Sequence, residues 1–190
     1  MDLDLYNDSY DFMCNSITHN YAKILEIGCG PGNITKYLLS KRPDFEVFGI
    51  DIAPNMITLA KKNNPAAKFA VLDSRNLDKI KTKYHGIVCG FCLPYLSQTD
   101  CKKLISDCYN LLNKEGLLYI SFVEDLPNKS GFQVTATGDR VYFNYFTLND
   151  LSTQLVENKF GILKVFDVAF ERSEIEKEIH KILIAKKDAR

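Results

Sequence analysis

The chain has 190 residues, 46% of them hydrophobic and 25% charged, a balance ordinary for a soluble globular protein. Lys plus Arg number 24 and so do Asp plus Glu, which excludes a chain-wide basic surface for nucleic acid; no apolar run is long enough to span a bilayer. The length suits a single domain over residues 1–190 with room for a sizeable core. The six cysteines are Cys14, Cys29, Cys89, Cys92, Cys101 and Cys108. Only Cys89 and Cys92 stand at C-x-x-C spacing, and no second Cys/His pair follows, so they read as small apolar core residues rather than metal ligands. Free thiols suit a reducing cytoplasm, the expected location. There is no N-terminal leader pattern.

In chain order, residues 10–17 read as a short helix with Phe12, Met13 and Ile17 on one side. Residues 23–27 are an apolar strand running into Gly28, Gly30 and Gly32. Residues 33–40 place Ile34, Tyr37 and Leu38 at helical spacing. A strand over 46–50 ends at Asp51, and Pro54 suits the first turn of the next helix, which carries Met56, Leu59 and Ala60. Strands follow over 68–72, ending at Asp73, and over 86–90. Ser97 or Thr99 can cap a helix whose Leu104, Ile105, Cys108, Leu111 and Leu112 form one stripe. Gly116 leads into a strand over 117–123. Nearly all-apolar strands alternating with helices predict a parallel sheet covered on both faces. The tail differs. Residues 126–146, with Pro127, Gly131, Gly138 and many aromatics, read as a loop holding a hairpin. Thr147 caps a helix with Leu148, Leu151 and Leu155 on one face. Strands over 162–170 and 179–185 are joined only by the polar 171–178 segment, too short for a parallel crossover, so the last strand runs antiparallel.

Ligands of open parallel sheets bind beyond the carboxyl ends of the strands. Standing there are Glu26 and the glycines, then Asp51, Asp73, the run Phe91-Cys92-Leu93-Pro94-Tyr95, and Glu124 with Asp125. The dinucleotide fingerprint G-x-G-x-x-G is met only in part: Gly28 and Gly30 fit, but its third position is Asn33 and Gly32 falls one residue early. No Gly-Lys-Ser/Thr follows, which excludes a P-loop. Each acid also has a purely structural role open to it. Glu26 can join a local cap or ion pair, Asp51 can cap the helix at Pro54, and Asp73 can cap a turn over 74–76.

The stretch E-I-G-C-G-P-G at 26–32, with Asp51 and Asp73 at strand ends and the antiparallel last strand, resembles the class I S-adenosylmethionine-dependent methyltransferases over nearly the whole chain. The resemblance implies an α/β, doubly wound, Rossmann-like seven-stranded sheet in the order 3-2-1-4-5-7-6, and S-adenosylmethionine as cofactor. It implies that Gly28, Gly30 and Gly32 let the loop pass under the cofactor and that Glu26 lies near its amino-acid part. Asp51 would accept from both ribose hydroxyls. Asp73 would accept from the adenine amino group, with Ser74 and Arg75 beside it. Ile52 with Phe91 or Cys92 would flank adenine and the methionine part, and Cys29 and Met56 complete the implied set. The helix starting at Asn33 would aim its free amides toward the methionine carboxylate. The family's amide-methylating members carry Asn- or Asp-Pro-Pro-Tyr after the fourth strand; Phe-Cys-Leu-Pro-Tyr here counts against a nucleic-acid base and favours a small-molecule acceptor. Two readings of other classes stay open, an NAD(P)-dependent oxidoreductase and a non-catalytic cofactor-binding scaffold.

Methyl transfer from a sulfonium is an in-line displacement in which alignment alone can supply several kcal/mol, up to about 7–11 in favourable cases. His19 and His85 precede the first and fourth strands and His180 lies inside the last one, so no histidine base is expected. Candidate polar groups near the acceptor are Tyr95, Tyr142, Tyr145, Glu124 and Asp125, each tyrosine having a packing role as its alternative. Two pieces outside the shared sheet are expected to grip the acceptor, and the resemblance implies that such pieces form a lid. One is the N-terminal cap segment, residues 1–20, with Tyr6, Tyr10 and Phe12. The other is 126–146, with Phe132, Phe143 and Phe146 besides its tyrosines, whose aromatic faces favour a sulfonium.

Overall fold

The computed structural model describes residues 4–134, 138–171 and 177–188; parts of the expected cap segment, lid insertion and final connection lie outside these. Strands β1 (Lys23–Ile27), β2 (Glu46–Asp51), β3 (Lys68–Val71), β4 (Tyr84–Cys89) and β5 (Leu112–Val123) alternate with helices α2 (Asn33–Lys41), α3 (Pro54–Asn63) and α4 (Gln98–Leu111), behind a first helix α1 (Asn7–Ser16). A hairpin, β6 (Gly131–Val134) and β7 (Arg140–Phe143), precedes α5 (Leu148–Glu157), β8 (Phe160–Glu171) and β9 (Lys177–Lys187). The main sheet has seven strands in the order β3-β2-β1-β4-β5-β9-β8. This is the expected order, with the last two labels raised because β6 and β7 form a separate two-stranded sheet. β1 to β5 pair in parallel, and β9 is antiparallel to both β5 and β8.

Successive strand residues point to opposite faces, and the core divides accordingly. Ile24, Val88, Tyr119 and Ile182 pack with Tyr10 and Met13 of α1 and Leu38 of α2. Leu25, Ile87, Leu118 and Leu183 pack with Leu104 and Ile105 of α4 and Leu151 and Leu155 of α5. Burial on both faces is why the parallel strands read as unbroken apolar runs. Helix starts follow their caps: Ser97, not Thr99, accepts from Asp100 N at 3.0 Å, and Thr147 accepts from Asp150 N at 3.1 Å. Among the described residues no helix is long and apolar enough to cross a membrane.

Four expectations are corrected. The first helix begins at Asn7 rather than residue 10 and follows a short turn of 3-10 helix at Asp4–Tyr6. Leu112 belongs to β5 and closes a register shift against Tyr84, instead of ending the α4 stripe. Strand pairing reaches into both ends of the polar 171–178 link, where Phe170 pairs with Glu178 and Glu171 with Lys177; its middle, 172–176, lies outside the described residues. Tyr6 and Tyr10 are 0% and 1% exposed, so they are core residues of the α1 layer and present no surface to an acceptor, while Phe12 packs on Phe166 at 5.9 Å.

Candidate cofactor site

The chain leaves β1 through a left-handed series, φ +68° at Gly28, +52° at Gly30 and +83° at Gly32. Glycine adopts this region at little steric cost, which other residues do not. The loop spends its amides on the protein itself. Cys29 N donates to Ile50 O, Gly30 N to the Asp51 carboxylate and Gly32 N to Cys29 O, each at 2.9 Å. Phosphate-cradling loops instead leave such amides for the ligand. Gly28 brings the loop against the chain after β4, where a Cβ would lie 3.1 Å from Cys92 Cβ.

Asp51 takes up its structural role without being used up by it. Its Oδ2 accepts from Gly30 N at 2.9 Å and its Oδ1 from Ala53 N at 2.8 Å. Each oxygen of an ionised carboxylate keeps a further lone-pair site. Asp73 caps the turn Ser74–Lys79, accepting from Arg75 N at 2.9 Å, and both its oxygens take the Arg75 guanidinium. That hydrogen bonding holds the Asp73 carboxyl below the usual carboxylate range.

Glu26 lies under the loop, 1% exposed, with the Thr35 hydroxyl donating to its Oε2. Burial pushes its carboxyl from 4.5 up to about 7, the Thr35 bonds opposing the shift. Between those two pH values the folded chain binds more protons than the unfolded one, so this group's contribution to stability falls as pH rises. Glu26→Gln removes the dependence. Urea titrations at pH 5 and pH 8 are expected to show the variant gaining on wild type by on the order of 2–3 kcal/mol across that interval. A gap that stays constant with pH would show that Glu26 is ionised throughout.

Beyond the strand ends lies a cavity of about 560 Å³, lined by Gly28, Asp51, Ile52, Met56, Asp73, Ser74, Phe91 and Cys92 of the expected set. Ala53, Leu72, Arg75, Leu96 and Tyr95 complete it. Ala53, Leu72 and Leu96 were hidden in the sequence, because short apolar residues at the ends of elements look the same whether they face core or cavity. Glu26, Cys29, Gly30 and Gly32 do not line it. Cys29 packs with Ile57, Ala60 and Phe69, and Gly32 is wedged against Ala60 and Asn64. The chemistry of the lining suits a nucleoside. Two carboxylates can accept from ribose hydroxyls and an exocyclic amine, and apolar side chains lie beside them. Ile52, 61% exposed, gives a flat ring an apolar partner. The lining includes one basic side chain, Arg75, and Asp73 neutralises it.

The tyrosines separate. Tyr95 lines the cavity and meets Phe143 of the hairpin edge-to-face at 6.1 Å. Tyr142 packs on Phe132 at 5.2 Å, and Tyr145 accepts from Gln133 Nε2 at 3.2 Å; neither lines the cavity. The hairpin is tied to the Leu93–Tyr95 turn by Asn144 N donating to Pro94 O at 2.7 Å. Glu124 and Asp125 have structural partners. Glu124 accepts from Leu148 N at 2.9 Å and pairs with Lys181 at 3.2 Å, and Asp125 accepts from Leu126 N at 2.7 Å and pairs with Lys129 at 2.8 Å. His19 and His85 face one another at 4.6 Å beside the amino end of β1, where His85 Nδ1 accepts from Lys23 N.

Residues 24–116 match a family model described as a methyltransferase domain, a span that holds the glycine loop and both acids. The chain is 27% identical over 194 residues to the putative methyltransferase 235L of Invertebrate iridescent virus 6, covering 95% of this chain and 71% of that protein. It spans 65% and 45% of two further curated relatives. The fold is similar to that of an S-adenosylmethionine-dependent methyltransferase from Methanosarcina mazei, with TM-score 0.78, 20% identity and coverage of 93% of this chain and 97% of the other. It is also similar to 1,6-didemethyltoxoflavin-N1-methyltransferase from Burkholderia thailandensis, solved with 1,6-didemethyltoxoflavin and S-adenosylhomocysteine, with TM-score 0.76, 18% identity and coverage of 98% and 80%.

Proposed function

We propose that this chain is a class I S-adenosylmethionine-dependent methyltransferase that transfers the methyl group of S-adenosylmethionine to a small-molecule acceptor, a reading supported by the methyltransferase-domain match, the viral relative and the shared fold. The observation that carries the cofactor assignment is the pair of carboxylates, Asp51 and Asp73, on one apolar cavity whose cation is already neutralised. When bound, the cofactor supplies a methyl group activated by the positive charge on its sulfur. Asp51 would accept from the ribose hydroxyls through the lone pairs its two backbone bonds leave over. Asp73 and Ser74 would receive the adenine amino group, with Ile52, Met56 and Leu72 excluding water from the ring. Phe91 and Cys92 would wall the methionine end.

The protein's own contribution is then positioning rather than proton chemistry. The 126–146 segment, which holds the hairpin, would act as a lid, its Phe143 meeting Tyr95 of the Leu93–Tyr95 turn edge-to-face and Tyr145 packing on Phe143. Tyr95, which lines the cavity and is 59% exposed, would be the tyrosine to touch an acceptor. A small-molecule acceptor is supported by the neutral charge, by Phe-Cys-Leu-Pro-Tyr in place of the amide-methylating motif, and by the heterocycle bound in the toxoflavin relative. A nicotinamide dinucleotide fits less well. Its pyrophosphate would meet a loop whose Cys29, Gly30 and Gly32 amides are engaged.

Thermal melting tests this. S-adenosylhomocysteine at about 100 times its dissociation constant is expected to stabilise the fold by ~2.7 kcal/mol and raise Tm by about 5–10 °C, with NAD(P)H causing no shift. A shift with NAD(P)H alone would favour the oxidoreductase. Absence of any shift with either sulfur compound would end the cofactor assignment. Cofactor binding without turnover across a broad panel of acceptors would favour the scaffold.

A further inference from the structure

His180 is buried, 4% exposed, near the start of β9. Since β9 runs antiparallel to β5, that start lies at the carboxyl end of the parallel strands, with His180 opposite Val123. Its Nδ1 is 2.6 Å from the Tyr6 hydroxyl, a hydrogen bond that joins the beginning of the chain to its last strand. Phe170 stacks on the imidazole at 4.8 Å, and a Glu178 carboxylate oxygen lies 3.5 Å from Nε2. Burial pushes the Tyr6 hydroxyl up to about 12 and pushes His180 down. Both are therefore neutral near pH 7. A ring proton on Nε2, on the side of Glu178, leaves Nδ1 to accept from the Tyr6 O–H.

Both rings bear on Phe91. Tyr6 meets it edge-to-face at 4.9 Å and 81°, and His180 lies at 6.2 Å. Phe91 lines the cofactor cavity, yet its backbone is in the left-handed region at φ +58°, which a bulky residue adopts only when its surroundings impose it. Ser121 Oγ accepts from the Phe91 amide at 2.8 Å, and the 3-10 turn before α1, together with β9, supplies the rings packed on its side chain.

We infer that Tyr6 and His180 are a positioning pair for the cofactor cavity: their hydrogen bond fixes the two rings that keep the Phe91 side chain in the cavity wall. The pair touches neither the cofactor-binding acids nor the glycine loop, and its role rests on the methyltransferase reading above. It also gives the N-terminal segment a different task from gripping the acceptor, namely supporting the cofactor wall from behind.

The test is calorimetric titration of S-adenosylhomocysteine at a temperature where circular dichroism shows each protein folded. Tyr6→Phe keeps the ring and removes the hydroxyl; His180→Phe keeps the stack on Phe170 and removes the nitrogens. Each is expected to bind about fivefold to tenfold more weakly than wild type. The double variant is expected to bind no more weakly than the worse single, since all three lose the same bond. His180→Gln, whose amide oxygen can accept from Tyr6, is expected to recover most of the affinity. A purely structural pair would lower Tm and leave affinity unchanged. Affinities within about twofold of wild type in the folded single variants, or losses that add in the double, overturn the inference. Wild-type protein that binds no S-adenosylhomocysteine overturns the cofactor assignment itself, and is told apart by that titration alone.

Discussion

Asp51→Ala is expected to reduce S-adenosylhomocysteine affinity by about 100-fold or more, to below detection in an ordinary calorimetric titration. Two charge-assisted hydrogen bonds to the ribose diol would be lost, each worth about 1.5–3 kcal/mol, and 1.4 kcal/mol is tenfold in affinity. The variant also frees the Gly30 and Ala53 amides, which the carboxylate now holds at 2.9 and 2.8 Å. That part of the loss appears in stability, at the level of a missing helix cap, about 1 kcal/mol. The two effects are separable. Melting without ligand reports the cap, and titration of the folded variant reports the ribose. If the folded variant binds within about tenfold of wild type, Asp51 is a structural cap only, and the nucleoside must be recognised elsewhere.

The largest loss of stability is expected from Gly32→Ala. A Cβ there would lie 2.4 Å from Asn64 Nδ2, and φ is +83°. Asn64 cannot simply give way, because its amide is buried and donates to Gly32 O at 2.9 Å, tying α2 to α3. Left-handed strain of about 1–2 kcal/mol adds to a broken buried hydrogen bond of about 1–3 kcal/mol. The expected cost is roughly 2–5 kcal/mol, a fall in Tm of about 5–20 °C. Gly30→Ala provides the control within the same loop. Its φ is +52° but a Cβ would meet nothing within 4 Å, so it should cost only the strain, about 1–2 kcal/mol. Equal melting temperatures for the two variants would mean that the Asn64 contact relaxes freely.

The sequence by itself determined the parts of this protein that depend on short-range pattern. Unbroken apolar runs located the parallel strands, period-3.6 stripes located the helices, and Thr147 marked the start of α5. The glycines at 28, 30 and 32 were readable because left-handed backbone demands them. Asp51 and Asp73 were readable as site candidates because a parallel sheet puts its strand ends on one side. Even the antiparallel last strand followed from a connection too short to cross over. Only the tertiary structure decided where the remaining groups act. Glu26, two positions before Gly28, lies beneath the loop with Thr35 rather than on the cavity. Arg75 clamps Asp73, and Glu124 holds the start of α5. His180 meets Tyr6 although 174 positions separate them. The physical reason is the same in each case. A local pattern specifies which way a residue faces relative to its own strand or helix, whereas the partner it finds depends on which elements become neighbours, and that is settled only when the sheet closes its order and both faces are packed.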